Sequence, residues 1–481
     1  MKRTFLQLVL IAGLCFLPAG SMIAQTFSPL ASFSYLPNGN NIGFSPFAGL
    51  VLSSNKLYGT TTNGGVNNNG SVFAIYTDGT GLTNLYRFTP RTGPAPFTNI
   101  DGSGPQGALI LSGNTLYGTA TAGGTGGAGT VFRVNVDGTG FTNLHSFMAV
   151  TNATNADGAN PEGNLALSGN VLYGTATDGG PGGDGTVFQI NTDGTGFTNV
   201  YVFTNLVKNG AYPEGGFVLY SNALYGENSF GTGGAGTLFK VNIDGTGFTN
   251  LHTFTGGSDD SFPMGLSLGN NVLLGTAYGG YGSIFMINPD GTGYTNLYRF
   301  TAGSAALTNS DGAVPTAGVI LVGNTLLGTT TAGGAFGKGT VFAVNTNGGA
   351  FTNLHNFTAT SYNYSLPGYT NYDGLQPNGL VASSNAVYGT ARYGGNVNDG
   401  TVFRVSFTPQ LALTPSGNNV ILTWPTNVAG FDYTGYALQS TTNLAPPAAW
   451  NPSLPFPSVI SGQETVTNAV TGVQQFYRLS Q

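Results

Sequence analysis

Three glutamates stand where carboxylate chemistry could be done. Glu162 and Glu214 sit in matching Pro-Glu-Gly segments, and Glu227 replaces the threonine found at Thr60, Thr119, Thr175, Thr276, Thr329 and Thr390 in otherwise similar stretches. Paired carboxyl groups roughly 5 to 9.5 Å apart hydrolyse glycosides, one as acid and the other as nucleophile or base. A second acidic set, Asp101, Asp157, Asp259, Asp260, Asp311 and Asp373, stands in Asp-Gly-x-x-Pro-x-Gly-like segments ahead of a strand. Turn chemistry accounts for Asp-Gly and Pro there. The functional alternative is a broken ring of carboxylates round one mouth, binding a ligand or cation.

Other apparent motifs lose their meaning once placed in context. Gly124 to Gly129 and Gly231 to Gly236 match a dinucleotide fingerprint, but that chemistry needs a following helix, and a strand pattern follows both. Gly265 to Gly269 matches an esterase elbow without the helix that an elbow requires. His145, His252 and His355 occupy one repeated position, held elsewhere by Tyr86, Tyr201, Tyr298 and Ala31. Residues so distributed cannot converge on one ion, so no metal site is expected. Asp78, Asp137, Asp193, Asp244 and Asp290 lie in Asn-x-Asp-Gly-Thr-Gly-like stretches that resemble part of a calcium loop. The further carboxylates and distal glutamate of such a loop are missing. A hairpin turn is expected instead, with no cofactor, and calcium is the one cation in question.

All these residues ride on a block repeated seven times, indexed by Gly59, Gly118, Gly174, Gly226, Gly275, Gly328 and Gly389, with an average period of 55 residues. Periods of this size mean propellers, solenoids or arrays. Within each block, Val-Phe-x-aliphatic (Phe73 with Ile75, Phe132 with Val134) has period two and reads as a strand. Asp-Gly then predicts a tight hairpin with positive φ at both central residues, leading into Phe-Thr-Asn-Leu. Two strands upstream complete a four-stranded antiparallel sheet. The seventh block lacks its last strand, while a matching segment, Phe27 to Phe33, precedes the first. Moved to the end, it would close the array. The fold class expected is all-β: a seven-bladed β-propeller closed by an N-terminal strand.

Met1-Lys2-Arg3, the apolar run Phe5 to Pro18 and small residues up to Ala24 have the layout of a secretory signal. The domain boundaries expected are 1–24 for the signal peptide, 25–407 for the propeller and 408–481 for a small β-sandwich of the fibronectin type III kind. The lone cysteine, Cys15, falls in the signal, without the small residue next to it that a lipoprotein would have. Charged residues make up 7% of the chain, with 13 Lys plus Arg and net charge −6. That excludes nucleic acid, which calls for a basic patch. No later apolar run suits a transmembrane segment. A monomer is expected.

The units Asn-x-Leu-Tyr-Gly-Thr, Gly-Thr-Val-Phe and Asp-Gly-Thr-Gly, carried from about Phe27 to Phe407, resemble the GloVer tandem repeats of bacterial exported and surface proteins. The resemblance implies a secreted or cell-surface protein and brings no catalytic residues with it. An enzyme gathers titratable groups in one pocket, and these repeats hold few. The function expected is therefore non-catalytic: a propeller face for binding or adhesion to an extracellular glycan or surface protein. The alternatives are a carbohydrate-active enzyme, a glycoside hydrolase or lyase, and a purely structural envelope component. Site candidates are Asp101, Asp157, Asp311, Asp373, Glu162, Glu214 and Glu227.

Overall fold

Neighbouring apolar residues such as Val131-Phe132 leave a strand no polar face, and the computed structural model shows both faces covered. The structure describes residues 24–480 apart from 35–41, 66, 94, 205–208, 232, 305–307, 363–368, 446–447 and 470–473. All but the last residue of the expected signal, Cys15 included, lies outside the described residues. The chain forms two units: Phe27–Ser383 with Val387–Val405, and Ser406–Gln481 with Ser384–Ala386 and the residues up to Thr26. Among the described residues, no helix is long and apolar enough to cross a membrane.

Among the described residues, the repeats fold into seven four-stranded antiparallel sheets. The second is representative, with strands Ile110–Ser112, Thr115–Ala120, Thr130–Asn135 and Thr142–Ser146 bonded in chain order. Val131 joins a core shared with Leu165, Leu172 and Phe188 of the third repeat, whereas Phe132 and Val134 join one shared with Tyr58, Val72 and Phe88 of the first. The strand still alternates, but each side meets a neighbouring sheet. Burying one such phenylalanine contributes roughly 1.5–3 kcal/mol. The index glycine follows from this packing. A Cβ at Gly118 would lie 2.7 Å from the ring of Phe132, and one at Gly174 would lie 2.4 Å from that of Phe188.

The turn after the third strand departs from expectation. Positive φ falls on Gly138 and Gly140 and not on Asp137, so this is not a two-residue hairpin with both central residues left-handed. Asp137 instead accepts bonds from Thr139 N and Oγ1 at 2.9 and 2.7 Å, capping a longer loop before Thr142–Ser146. Side-chain capping by Asp makes its own left-handed conformation unnecessary.

In the seventh sheet, Leu375–Ala382, Ala386–Tyr393 and Thr401–Thr408 are completed by the N-terminal strand Ala24–Ser32, next to Thr401–Thr408. Phe27 stacks on Phe403 with ring centroids 5.4 Å apart, and Phe33 N donates to Gly400 O at 3.0 Å. The displaced strand is therefore where the repeat pattern puts it.

Buried threonines link successive sheets through the loop that enters each next sheet. Thr119 donates to Gly163 O, Thr175 to Gly215 O, Thr276 to Ala317 O and Thr329 to Asn378 O, at 3.0–3.3 Å. Thr390 of the seventh sheet donates to Ala48 O, ahead of the first sheet, at 2.9 Å. Thr60 is the exception, its buried hydroxyl having no hydrogen-bond partner among the described residues.

The second unit has a sheet of Ala412–Ser416, Asn419–Pro425, Gln463–Ala469 and Ser458–Ile460, in that order, and another of Asn451–Pro452, Ala437–Thr441 and Phe476–Ser480. Trp424 is buried in its core with Val420, Leu422, Leu438 and Val466.

The threonine links allow a matched pair of substitutions. Thr390→Val removes a bonded hydroxyl and leaves Ala48 O short of a donor, which should destabilise by about 1–2 kcal/mol. Thr60→Val removes a hydroxyl that has no partner and should be neutral or stabilising. Urea denaturation of the two variants checks the contrast.

Candidate functional site

The loop that enters each sheet is held by its proline, which packs on the glycine ahead of the third strand of the preceding sheet. A Cβ at Gly129 would lie 2.5 Å from Pro161, and one at Gly400 would lie 2.6 Å from Pro46. The residue after that proline then lines a cavity of about 580 Å³ in the repeat unit. Phe47, Gln106, Glu162, Glu214, Met264, Thr316 and Asn378 all reach it in this way. A second position, two residues after the linking threonine, adds Tyr278, Thr331 and Arg392.

Two of the three glutamates are thus brought together. Burial, then the neighbouring charges of Glu214 and Asp178, push the Glu162 carboxyl up to about 7. Burial and the charge of Glu214 also raise the Tyr278 hydroxyl. Arg392, in the seventh repeat, lies over the Phe47 ring at 4.6 Å and over Tyr393 at 5.0 Å. Its Nε is buried without a hydrogen-bond partner among the described residues.

Glu227 lies beneath this cavity rather than in its lining. It is 2% exposed, and its Oε1 accepts from Leu266 N at 3.3 Å. Oε2 has no partner among the described residues, and burial pushes the carboxyl up to about 7. Where threonine would donate to a carbonyl of the next loop, Glu227 accepts from an amide. The next sheet has a left-handed Gly265 and a register shift between Met264 and Ser267, a shift that the seventh sheet also has between Pro377 and Leu380.

The aspartates expected round a mouth are placed otherwise. Asp101, Asp157, Asp259, Asp311 and Asp373 are all buried. Asp101 accepts from Tyr86 Oη at 2.7 Å, Thr89 N and Thr89 Oγ1. Asp311 does the same with Tyr298 and Thr301. Asp157, Asp259 and Asp373 bond the Nε2 atoms of His145, His252 and His355 at 2.8, 3.2 and 2.8 Å. Asp260 pairs with Arg299. These carboxylates satisfy the fourth strand and the backbone beside it. Each histidine ring also stacks on an aromatic of the next repeat, as His145 does on Phe197 at 3.6 Å. Among the described residues, no three His, Cys, Asp or Glu side chains are grouped so as to hold a metal ion.

An aromatic row borders the cavity that the acidic residues did not announce. Tyr278 stacks on Phe262 with centroids 5.3 Å apart, Phe262 meets Phe230 edge-on at 6.4 Å, and Phe230 meets Tyr212 at 5.5 Å. Phe230 is 41% exposed. Tyr212 and Phe262 precede loop prolines and adopt φ of +58°, where the second and third repeats place Gly104 and Asn160. Bulky residues in this region carry strain of about 1–3 kcal/mol.

The sequence model of the Gloeobacter/Verrucomicrobia repeat matches residues 94–281 and 265–420, more than half of the chain. The chain belongs to that family. The Gloeobacter/Verrucomicrobia repeat therefore covers six of the seven loops that feed the cavity, those of Pro105, Pro161, Pro213, Pro263, Pro315 and Pro377. No curated protein matches. Among solved structures, the computationally designed Ika8 protein is similar at TM-score 0.42 and 15% identity, over 76% of this chain and 96% of that one. A chain of a nidogen/laminin complex gives 0.38 and 15%, over 58% and 86%. The extracellular domain of BT4673 from B. thetaiotaomicron gives 0.46 and 12%, over 86% of this chain and 43% of that chain.

Tyr278 and Arg392 were within reach of sequence reasoning. Both stand where other repeats carry Thr62, Thr121, Thr177, Ser229 and Thr331, but a search confined to acids and histidines passes over them.

Glu227 gives the site its pH test. Its folded carboxyl, near 7, holds the proton more tightly than the ordinary value of 4.5, so burial costs nothing below about 4.5 and most above 7. The full difference is about 3 kcal/mol. Glu227→Gln keeps an acceptor for Leu266 N and should raise the melting temperature at pH 8 while leaving it nearly unchanged at pH 4.5. Calorimetry at the two pH values checks this.

Proposed function

We propose that this chain is an exported, non-catalytic binding protein whose repeat unit is a seven-bladed β-propeller and whose cavity takes a glycan. Closure is supported by the Thr390 bond to Ala48 O, by Asn378 Nδ2 donating to Pro46 O at 2.8 Å, and by the N-terminal strand within the seventh sheet. The sheet orders of the second unit support a fibronectin type III-like sandwich there. Export is supported by the signal-like residues 1–24 and by the repeat family. A monomer presented at the cell surface or released fits this arrangement.

The observation that carries the glycan is the aromatic row running from exposed Phe230 to Tyr278 at the cavity. Aromatic faces take the apolar faces of sugar rings, while Gln106, Asn164 and Glu214 offer polar groups for hydroxyls. A cavity of this size is ordinary for a small ligand or the end of a chain.

The second reading is a glycoside hydrolase, favoured by one observation: Glu162 near 7 beside Glu214 resembles an acid paired with a carboxylate. One assay separates the two. On a panel of immobilised polysaccharides, the non-catalytic reading expects retention without new reducing ends. Phe230→Ala and Tyr278→Ala should each weaken that retention about five- to tenfold. New reducing ends that vanish in Glu162→Gln or Glu214→Gln would replace binding by hydrolysis.

A further inference from the structure

The cavity has two unlike sides. Glu162 and Glu214 come from the third and fourth repeats, and Arg392 comes from the seventh. Because the seventh sheet bonds to the loop of the first, the seventh repeat lies three steps from the third in one direction and three from the fourth in the other. The positive and negative groups are thus as far apart as seven repeats allow. No ion pair to Arg392 is seen among the described residues, and its Nε is buried with no acceptor.

Arg87 and Arg404 also bury an Nε without a partner among the described residues, but Arg392 is the cation in the cavity lining. Its guanidinium lies over the Phe47 ring at 4.6 Å, and a planar guanidinium can meet an oxyanion in two parallel bonds. A purely structural arginine would be expected to bond a carbonyl, as Arg299 does with Ser258 O and Arg133 with Thr192 O. The five equivalent positions that carry threonine or serine show what the scaffold itself needs there. Thr121 and Thr331 each donate to a loop carbonyl at 2.9 Å. Arg392 gives up that bond for one that no described residue of the protein supplies.

We propose that the cavity selects an anionic saccharide, with the carboxylate or sulfate of the sugar bound by Arg392 beside Phe47. This rests on the glycan reading above. The neutral remainder of the sugar chain would extend past Asn378 and Gln376 towards Tyr278 and the aromatic row, where Glu214 accepts from hydroxyls. A second anionic group on the Glu162 and Glu214 side would be repelled, so a chain with an acidic sugar at one end and neutral sugars following suits the cavity better than one that is acidic throughout.

The test is calorimetric titration of the full mature chain with three oligosaccharides. They are a galactan hexasaccharide carrying one terminal uronic acid, its methyl ester, and the same hexasaccharide carrying one terminal sulfate. The inference expects the acid or the sulfate to bind at least tenfold more tightly than the neutral ester, and the stronger of the two identifies the anion. Arg392→Gln should remove that preference, so that acid, sulfate and ester bind with equal affinity. Arg392→Lys, which keeps the charge and loses the planar fork, should keep only part of it. Equal affinity for acid, sulfate and ester overturns the inference and leaves the glycan reading standing. Preference for the anion that survives in Arg392→Gln also overturns it. No binding of any of the three overturns it as well, and retention on the neutral polysaccharide panel then decides whether the glycan reading survives.

Discussion

The hydroxyl that the second, third, fifth, sixth and seventh sheets donate to the loop of the next is the constraint on which the site depends. A bond such as Thr175 to Gly215 O is worth only about 1 kcal/mol net. Its importance is positional. It fixes the backbone within two residues of the loop proline, and the residue between, here Glu214, is left facing the cavity. Where Glu227 replaces the donor with an acceptor, it takes the amide of Leu266 instead, beside a left-handed Gly265. Most of the stability lies elsewhere, in the phenylalanines and valines shared by neighbouring sheets.

A second set of links acts at the fourth strands and explains how so few charges are used. Tyr86, His145, His252, Tyr298 and His355 each bond a buried aspartate ahead of the next sheet, and each stacks on the next repeat. Tyr201 has Asn209 in place of the acid, at 2.7 Å. Between the seventh and first repeats the pair becomes Ala31 and Ile42, so neither a donor nor an acceptor is left waiting. Both members changed together where the N-terminal strand enters, which is what a buried polar pair demands: removing one alone would leave an unsatisfied group.

The strands were legible because Val-Phe-x-aliphatic has a single geometric solution when both faces are covered, and the aligned glycines mark where a phenylalanine ring lies too close for a side chain. The displaced N-terminal strand was legible because an incomplete last block and an unpaired first segment share one pattern. The turn was only half legible: Asp-Gly signalled it, but whether Asp supplies a backbone conformation or a side-chain cap is a difference of tens of degrees that composition does not encode. The aspartates near the loops misled for a similar reason. Their spacing shows that they recur, whereas the 2.7 Å approach of Tyr86 to Asp101 depends on two strands brought together by the fold. Glu162 and Glu214 were found because they break a pattern at the right position. Arg392 and Tyr278 break one equally clearly at the adjacent position, and only the cavity shows that the two positions share a wall.

The variation that remains has a direction. Positions occupied by linking threonines, index glycines and loop prolines are held by contacts measured in tenths of an ångström, so they repeat. The position after the proline is exempt from those contacts and carries phenylalanine, amide, carboxylate, methionine and hydroxyl in turn. If that freedom were only tolerance, small polar residues compatible with the turn would suffice at every repeat, and the left-handed residue before each proline would be glycine or asparagine. Instead Ser45, Tyr212, Phe262, Val314 and Gln376 take that conformation, and in adjacent repeats the rings of Tyr212 and Phe262 both meet Phe230, Phe262 stacking on Tyr278 as well. Two carboxylates on one side and an arginine on the other make the cavity asymmetric although its scaffold is not. A repeated scaffold has no need of such asymmetry, whereas a ligand with distinguishable ends does.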